Sequence, residues 1–204
     1  MSSGRSGEPV YDWGTTRRFV GADRLALDIV LDVNEEVVRA AVAGAAIEEP
    51  VAAIGLQIND ETDEPTVLMV SVETEAARLS RARPPLDIWG LRAVWDGFNY
   101  ALEIPVQYER FADPGFVAAK TAVDEAIGDL EGLDRSRVAL VELVQRLIDS
   151  PPPARVTEGF VVFLAGQIND DFFSLVRHVL PDATRQKLEQ AGYLPDEWPH
   201  EPPL

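Results

Sequence analysis

VAAIGLQIND, running from Val51 to Asp60, decides how this chain folds. It is apolar at almost every position until it stops at Gln57-Ile58-Asn59-Asp60. The polar stretch NDETDEP (Asn59 to Pro65) follows, and then a second apolar run, TVLMVSV (Thr66 to Val72). Two short apolar runs containing β-branched residues and joined by a polar turn predict a β-hairpin. Because neither run alternates cleanly between apolar and polar, both predict strands covered on two faces. The motif returns as VVFLAGQIND (Val161 to Asp170), and an acid follows each copy, Glu61 and Asp171. A four-residue identity arises by chance about 0.1 to 0.2 times in a chain of this length, so the echo marks similar strands rather than a duplicated site. The segment 156–165 is accordingly the third predicted strand.

Outward from these strands the chain reads as helices. Asn34 is a good N-cap, Glu35 and Glu36 suit a first turn, and Pro50 closes the segment, which predicts a helix over 34–48 with Val37, Val38, Ala41, Val42 and Ala45 on its apolar face. The preceding LALDIVLDV (Leu25 to Val33) fits an alternating strand or the front of the same helix. Glu73 to Arg83 reads as a short helix or turn that Pro84-Pro85 ends. Phe116 to Leu130 and the amphipathic Ser136 to Ile148 read as helices, and Ser150-Pro151-Pro152-Pro153 is the strongest internal linker signal. Asn169 suits a cap for a helix carrying Phe172, Phe173, Leu175, Val176, Val179 and Leu180, and Pro181 opens a last helix ending at Gly192. The expected fold is α+β: a small, mostly antiparallel sheet, made of the hairpin 51–72 plus the strand 156–165, covered by helices. We expect a flexible leader over 1–21, a single domain over 22–194 and a Pro-rich tail over 195–204.

Composition narrows the function classes. With 204 residues, 46% of them hydrophobic, the chain can bury a sizeable core without staples. The absence of Cys removes disulfides, thiolate nucleophiles and thiolate metal sites. No stretch approaches the roughly 18 to 20 apolar residues of a membrane span, and the first residues lack the apolar middle of a secretory signal, so we expect a cytoplasmic protein. The 35 acids against 18 bases leave a net charge of −17. A surface this negative repels phosphate backbones and anionic lipids, which argues against nucleic-acid and membrane partners. A basic protein partner is the complementary expectation, alongside simple solubility. Lys120 and Lys187 are the only lysines among the bases, and with abundant Ala and Val this points to a high-GC bacterial coding bias.

Catalytic signatures are missing. The chain contains no Gly-x-Ser-x-Gly elbow, no Ser-x-x-Lys, no Gly-x-Gly-x-x-Gly and no phosphate-binding loop, so no nucleotide or other cofactor is expected. Of the two histidines, His178 falls late in a predicted helix and His200 in the Pro-rich tail. Neither sits where a positioned general base is expected. Carboxylates are the plentiful reactive groups. The acidic turn Asp60 to Glu64 has the density of a calcium loop, but Pro65 and Ser71 stand where the loop glycine and the twelfth-position acid belong. Asp60, Glu61, Asp170 and Asp171 form a divalent-metal site only if the two repeated strands are parallel neighbours. That condition defines the alternative function, a carboxylate-dependent metal-binding protein or hydrolase.

Aromatic residues crowd the middle of the chain, where Trp89, Trp95, Phe98, Tyr100, Tyr108, Phe111 and Phe116 fall close together. Core packing accounts for most such clusters. A partner-binding patch of Trp89, Trp95, Asp96, Phe98 and Tyr100, with Asp87 and Glu103 at its rim, is the functional alternative, because Trp and Tyr dominate binding hot spots.

From Asn34 to Glu189 the layout is similar to a family of small bacterial α+β domains of unknown function, some associated with toxin-immunity loci. The resemblance is carried by a first helix, the hairpin VAAIGLQIND…TVLMVSVET and the Trp-containing IWGLRAVWDGF. VALVELVQRLI, VTEGFVVFLAG and DDFFSLVRHVLP complete it. It implies a cytoplasmic protein that binds another protein, and it carries no catalytic residue onto this chain. We therefore expect an acidic, non-catalytic, immunity-like interaction domain. The sequence does not disclose its oligomeric state.

Overall fold

The computed structural model describes residues 19–59, 64–81, 102–128 and 133–165, together with Gln186 and Gln190. Helix α1 spans Gly21–Gly44. It absorbs the ambiguous 25–33 segment and starts well before the expected position 34. The reason is an unbroken apolar stripe: Leu27, Val30, Leu31, Val37, Val38 and Val42 recur at helical spacing, and all are buried. Asn34 is therefore not an N-cap but an interior residue of that stripe. Its amide Nδ2 donates to the Val30 carbonyl at 2.8 Å and the Pro65 carbonyl at 3.0 Å, while its Oδ1 accepts from the Val67 amide at 2.8 Å. A fully buried polar side chain is tolerated here because its amide nitrogen and oxygen both find partners, and the bonds to Pro65 and Val67 also satisfy backbone groups that packing would otherwise strand.

The sheet has the order β3-β2-β1-β4, with β1 at Val51–Asn59, β2 at Glu64–Thr74, β3 at Leu102–Pro105 and β4 at Val156–Ala165. β1 pairs antiparallel with β2 and β2 antiparallel with β3, as the hairpin reading requires. β4 lies on the other side of β1 and runs parallel to it, so the sheet is mixed. The fold is α+β, with a small sheet and helices. β3 escaped the sequence reading: four residues ending at Pro105 on a sheet edge leave no periodicity to detect.

The sheet shifts register at several places, on the β2 side and on the β4 side of β1. Gln57 pairs with Met69 but Ile58 pairs with Val67, so Leu68 is an extra residue in β2. This bulge lets Val67 and Val70 both reach the same core, and the freed Leu68 carbonyl accepts from the Tyr108 hydroxyl at 2.8 Å. On β4 the chain advances from Val156 to Val161 while β1 advances only from Val51 to Ala53. The exposed Glu158 and Gly159 fall in that excursion, which breaks the first half of the strand as a template for edge-to-edge pairing.

α2, Glu75–Arg81, follows β2 directly; the Thr74 hydroxyl caps it by accepting from the Ala77 amide, and the Glu75 amide donates to the Pro50 carbonyl. A short 3₁₀ helix, Tyr108–Ala112, leads into α3, Pro114–Ile127. Asp113 caps α3 through the Gly115 and Phe116 amides, and Gly128, at φ 72°, ends it in a backbone conformation that L side chains rarely adopt. Phe111 stacks at a tilt on the buried Phe116, with ring centroids 5.1 Å apart. α4, Leu133–Asp149, reaches Ser150-Pro151-Pro152-Pro153 and turns straight into β4. The prolines form a tight connection between two packed elements: Arg39 of α1 donates to the Ser150 and Pro151 carbonyls, and the Val51 amide donates to the Arg155 carbonyl.

α1, α3 and α4 pack against one another and share a core with Ile54, Leu56, Val70, Val72, Val162 and Leu164, which line one face of the sheet. Among the described residues, no helix is long and apolar enough to cross a membrane.

Candidate functional site

The repeated motif places its two strands side by side. β1 and β4 are parallel neighbours, so the two strands that carry the repeat run in the same direction and end on the same side of the sheet. They are not level, because the register sets Ala53 opposite Val161, whereas the repeat aligns Val51 with Val161. The acids Asp60, Glu61, Asp170 and Asp171 lie outside the described residues, as do Trp89, Trp95, Asp96, Phe98 and Tyr100. Among the described residues, no group of three or more His, Asp or Glu side chains is arranged to hold a metal ion.

Within the described residues, the second face of the sheet carries polar groups that belong to neither a turn nor a helix end. Positions 53, 55 and 57 of β1 alternate with the core-facing Ile54, Leu56 and Ile58. Their partners on β2 are Glu73, Ser71 and Met69. Ser71 faces Gly55, and Gln57 reaches diagonally to donate from Nε2 to the Ser71 hydroxyl at 2.8 Å. Glu73 follows on the same face, opposite Ala53, and is 1% exposed. On β4 the same face bears Val161, opposite Ala53, and Phe163, opposite Gly55. A hydroxyl, an amide and a carboxylate therefore line the middle of a buried face, next to Gly55 and Ala53. Such a track can accept or donate hydrogen bonds, and its carboxylate can balance one positive charge.

The sequence reading puts Glu73 at the start of a short helix or turn and gives Ser71 no role, whereas both lie within β2. The signal was present in TVLMVSVET, where Ser71 and Glu73 alternate with Val70 and Val72. It was obscured by the bulge at Leu68, which breaks the period before the polar positions begin.

A second charged cluster ties α1 to α4. Arg24 grips Glu142 with both guanidinium nitrogens, at 2.6 and 2.7 Å, and also donates to Asp28 at 2.6 Å. Arg146 donates to Asp32 at 2.8 Å and to Asp28 at 3.2 Å. Glu35 lies 3.7 Å from Arg146 and accepts from Arg39 at 2.8 Å. The Arg24 fork holds the Glu142 carboxyl below its ordinary range; burial opposes this, and Arg146 adds to it. Glu142 and then Asp28 raise Arg24 further above its usual value. Burial pulls Arg146 down, but Asp32, Glu142 and Glu35 outweigh it and leave it raised. Arg24, Arg146 and Glu142 are each thereby favoured in their charged forms, and the ladder ties α1 to α4. On α2, hydrogen bonds from Arg78 lower the Glu75 carboxyl in the same way.

No family model, no curated protein and no solved structure matches this chain.

Proposed function

We propose that this chain is an acidic, non-catalytic protein-interaction domain of a bacterial cytoplasm, immunity-like in kind, whose partner presents a basic surface. The observation that carries this reading is the distribution of charge. The acids exceed the bases by 17, and Arg24, Arg39, Arg78, Arg110 and Arg146 are each already held by carboxylates of the same chain. A surface whose cations are neutralised internally offers its remaining negative charge to others. Trp89, Trp95, Asp96, Phe98 and Tyr100 are the residues proposed to meet the partner. The test is affinity capture from the native host at low and high salt, with wild type beside a Trp95→Ala, Asp96→Ala variant. A basic protein held by wild type, released by salt and lost by the variant supports the reading. Identical capture by both proteins removes those residues from the interface.

One observation favours a second reading. β1 and β4 are parallel neighbours, so the strands that precede these acids in the sequence end on the same side of the sheet. Asp60, Glu61, Asp170 and Asp171 then become candidates for a divalent-cation site or for a carboxylate-dependent hydrolase. Titration calorimetry with Mg²⁺, Mn²⁺ and Ca²⁺ on wild type and Asp170→Asn decides this. Heat from wild type that the variant loses supports it, and no heat from either protein ends the metal version.

A further inference from the structure

We draw no further inference here: the strongest candidate, the exposed apolar patch of Leu25 and Ile29 on the solvent side of α1, carries nothing because nothing in the structure shows what covers it.

Discussion

The two faces of the sheet are both buried, yet they are built from different residues. One meets α1, α3 and α4 and is aliphatic throughout, from Ile54 and Leu56 across to Val70, Val72, Val162 and Leu164. The other carries Gly55, Gln57, Ser71 and Glu73 beside Val161 and Phe163, so small, polar and aromatic groups alternate across adjacent strands. Aliphatic packing is tolerant: any well-filled arrangement of the right volume suffices. A buried carboxylate and hydroxyl are not tolerant, because each demands a particular neighbour. Both faces contribute to stability, but the first tolerates exchange of one aliphatic side chain for another and the second does not.

The strongest challenge to this comparison is Phe163→Ala. If the second face is as closely packed as its 1% exposure there indicates, urea unfolding should show a loss of about 3 to 5 kcal/mol. A loss below about 1 kcal/mol would mean that this face stands open in solution and contributes little. Asn34→Ala probes the polar exception on the aliphatic side. It strands the Pro65 carbonyl and the Val67 amide, so a destabilisation of about 2 to 3 kcal/mol is expected, with hydrogen exchange accelerated first at the start of β2.

Ser71→Ala sharpens the polar side by removing the acceptor of the Gln57 amide. Chemical denaturation should register about 1 kcal/mol, and a neutral result would show that Gln57 finds another acceptor. The smallest effect is expected from Glu142→Gln in the α1–α4 ladder, about 0.5 to 1 kcal/mol at neutral pH and less at high salt. Its pH dependence carries a definite sign. The folded carboxyl titrates below the unfolded one, so its contribution is present above the unfolded value and fades as pH falls through the lower, folded value. Thermal melts of wild type should therefore lose more stability than the variant on acidification below about pH 4.5. Parallel acid limbs for the two proteins would contradict the pairing.

Much of the fold was legible because it rests on local signals. The hairpin followed from two apolar runs around a polar turn, the strand over 156–165 from its β-branched and aromatic content, and α4 from its amphipathic spacing. α1 was misread at its start because Asn34 has the composition of a cap. A residue's suitability for a cap does not reveal whether its amide will instead bridge to Pro65 and Val67, far along the chain. The triple proline was read as a linker for the same reason: rigidity of backbone looks alike in a spacer and in a clamped turn. Of the candidate site, the parallel placement of β1 and β4 was stated only as a condition, since no local feature encodes which strand will add to which edge.

By itself, the sequence determined the class of the molecule, its main strands and helices and its surplus of negative charge, because periodicity, turn chemistry and ionisable residues act locally or by simple summation. Only the tertiary structure decided that the repeated strands lie parallel and two residues out of step, that Asn34 is a buried bridge and that Gln57, Ser71 and Glu73 share one covered face. Those facts depend on register and on contacts between distant segments, and a one-residue slip of a strand would turn its side chains to the other side of the sheet.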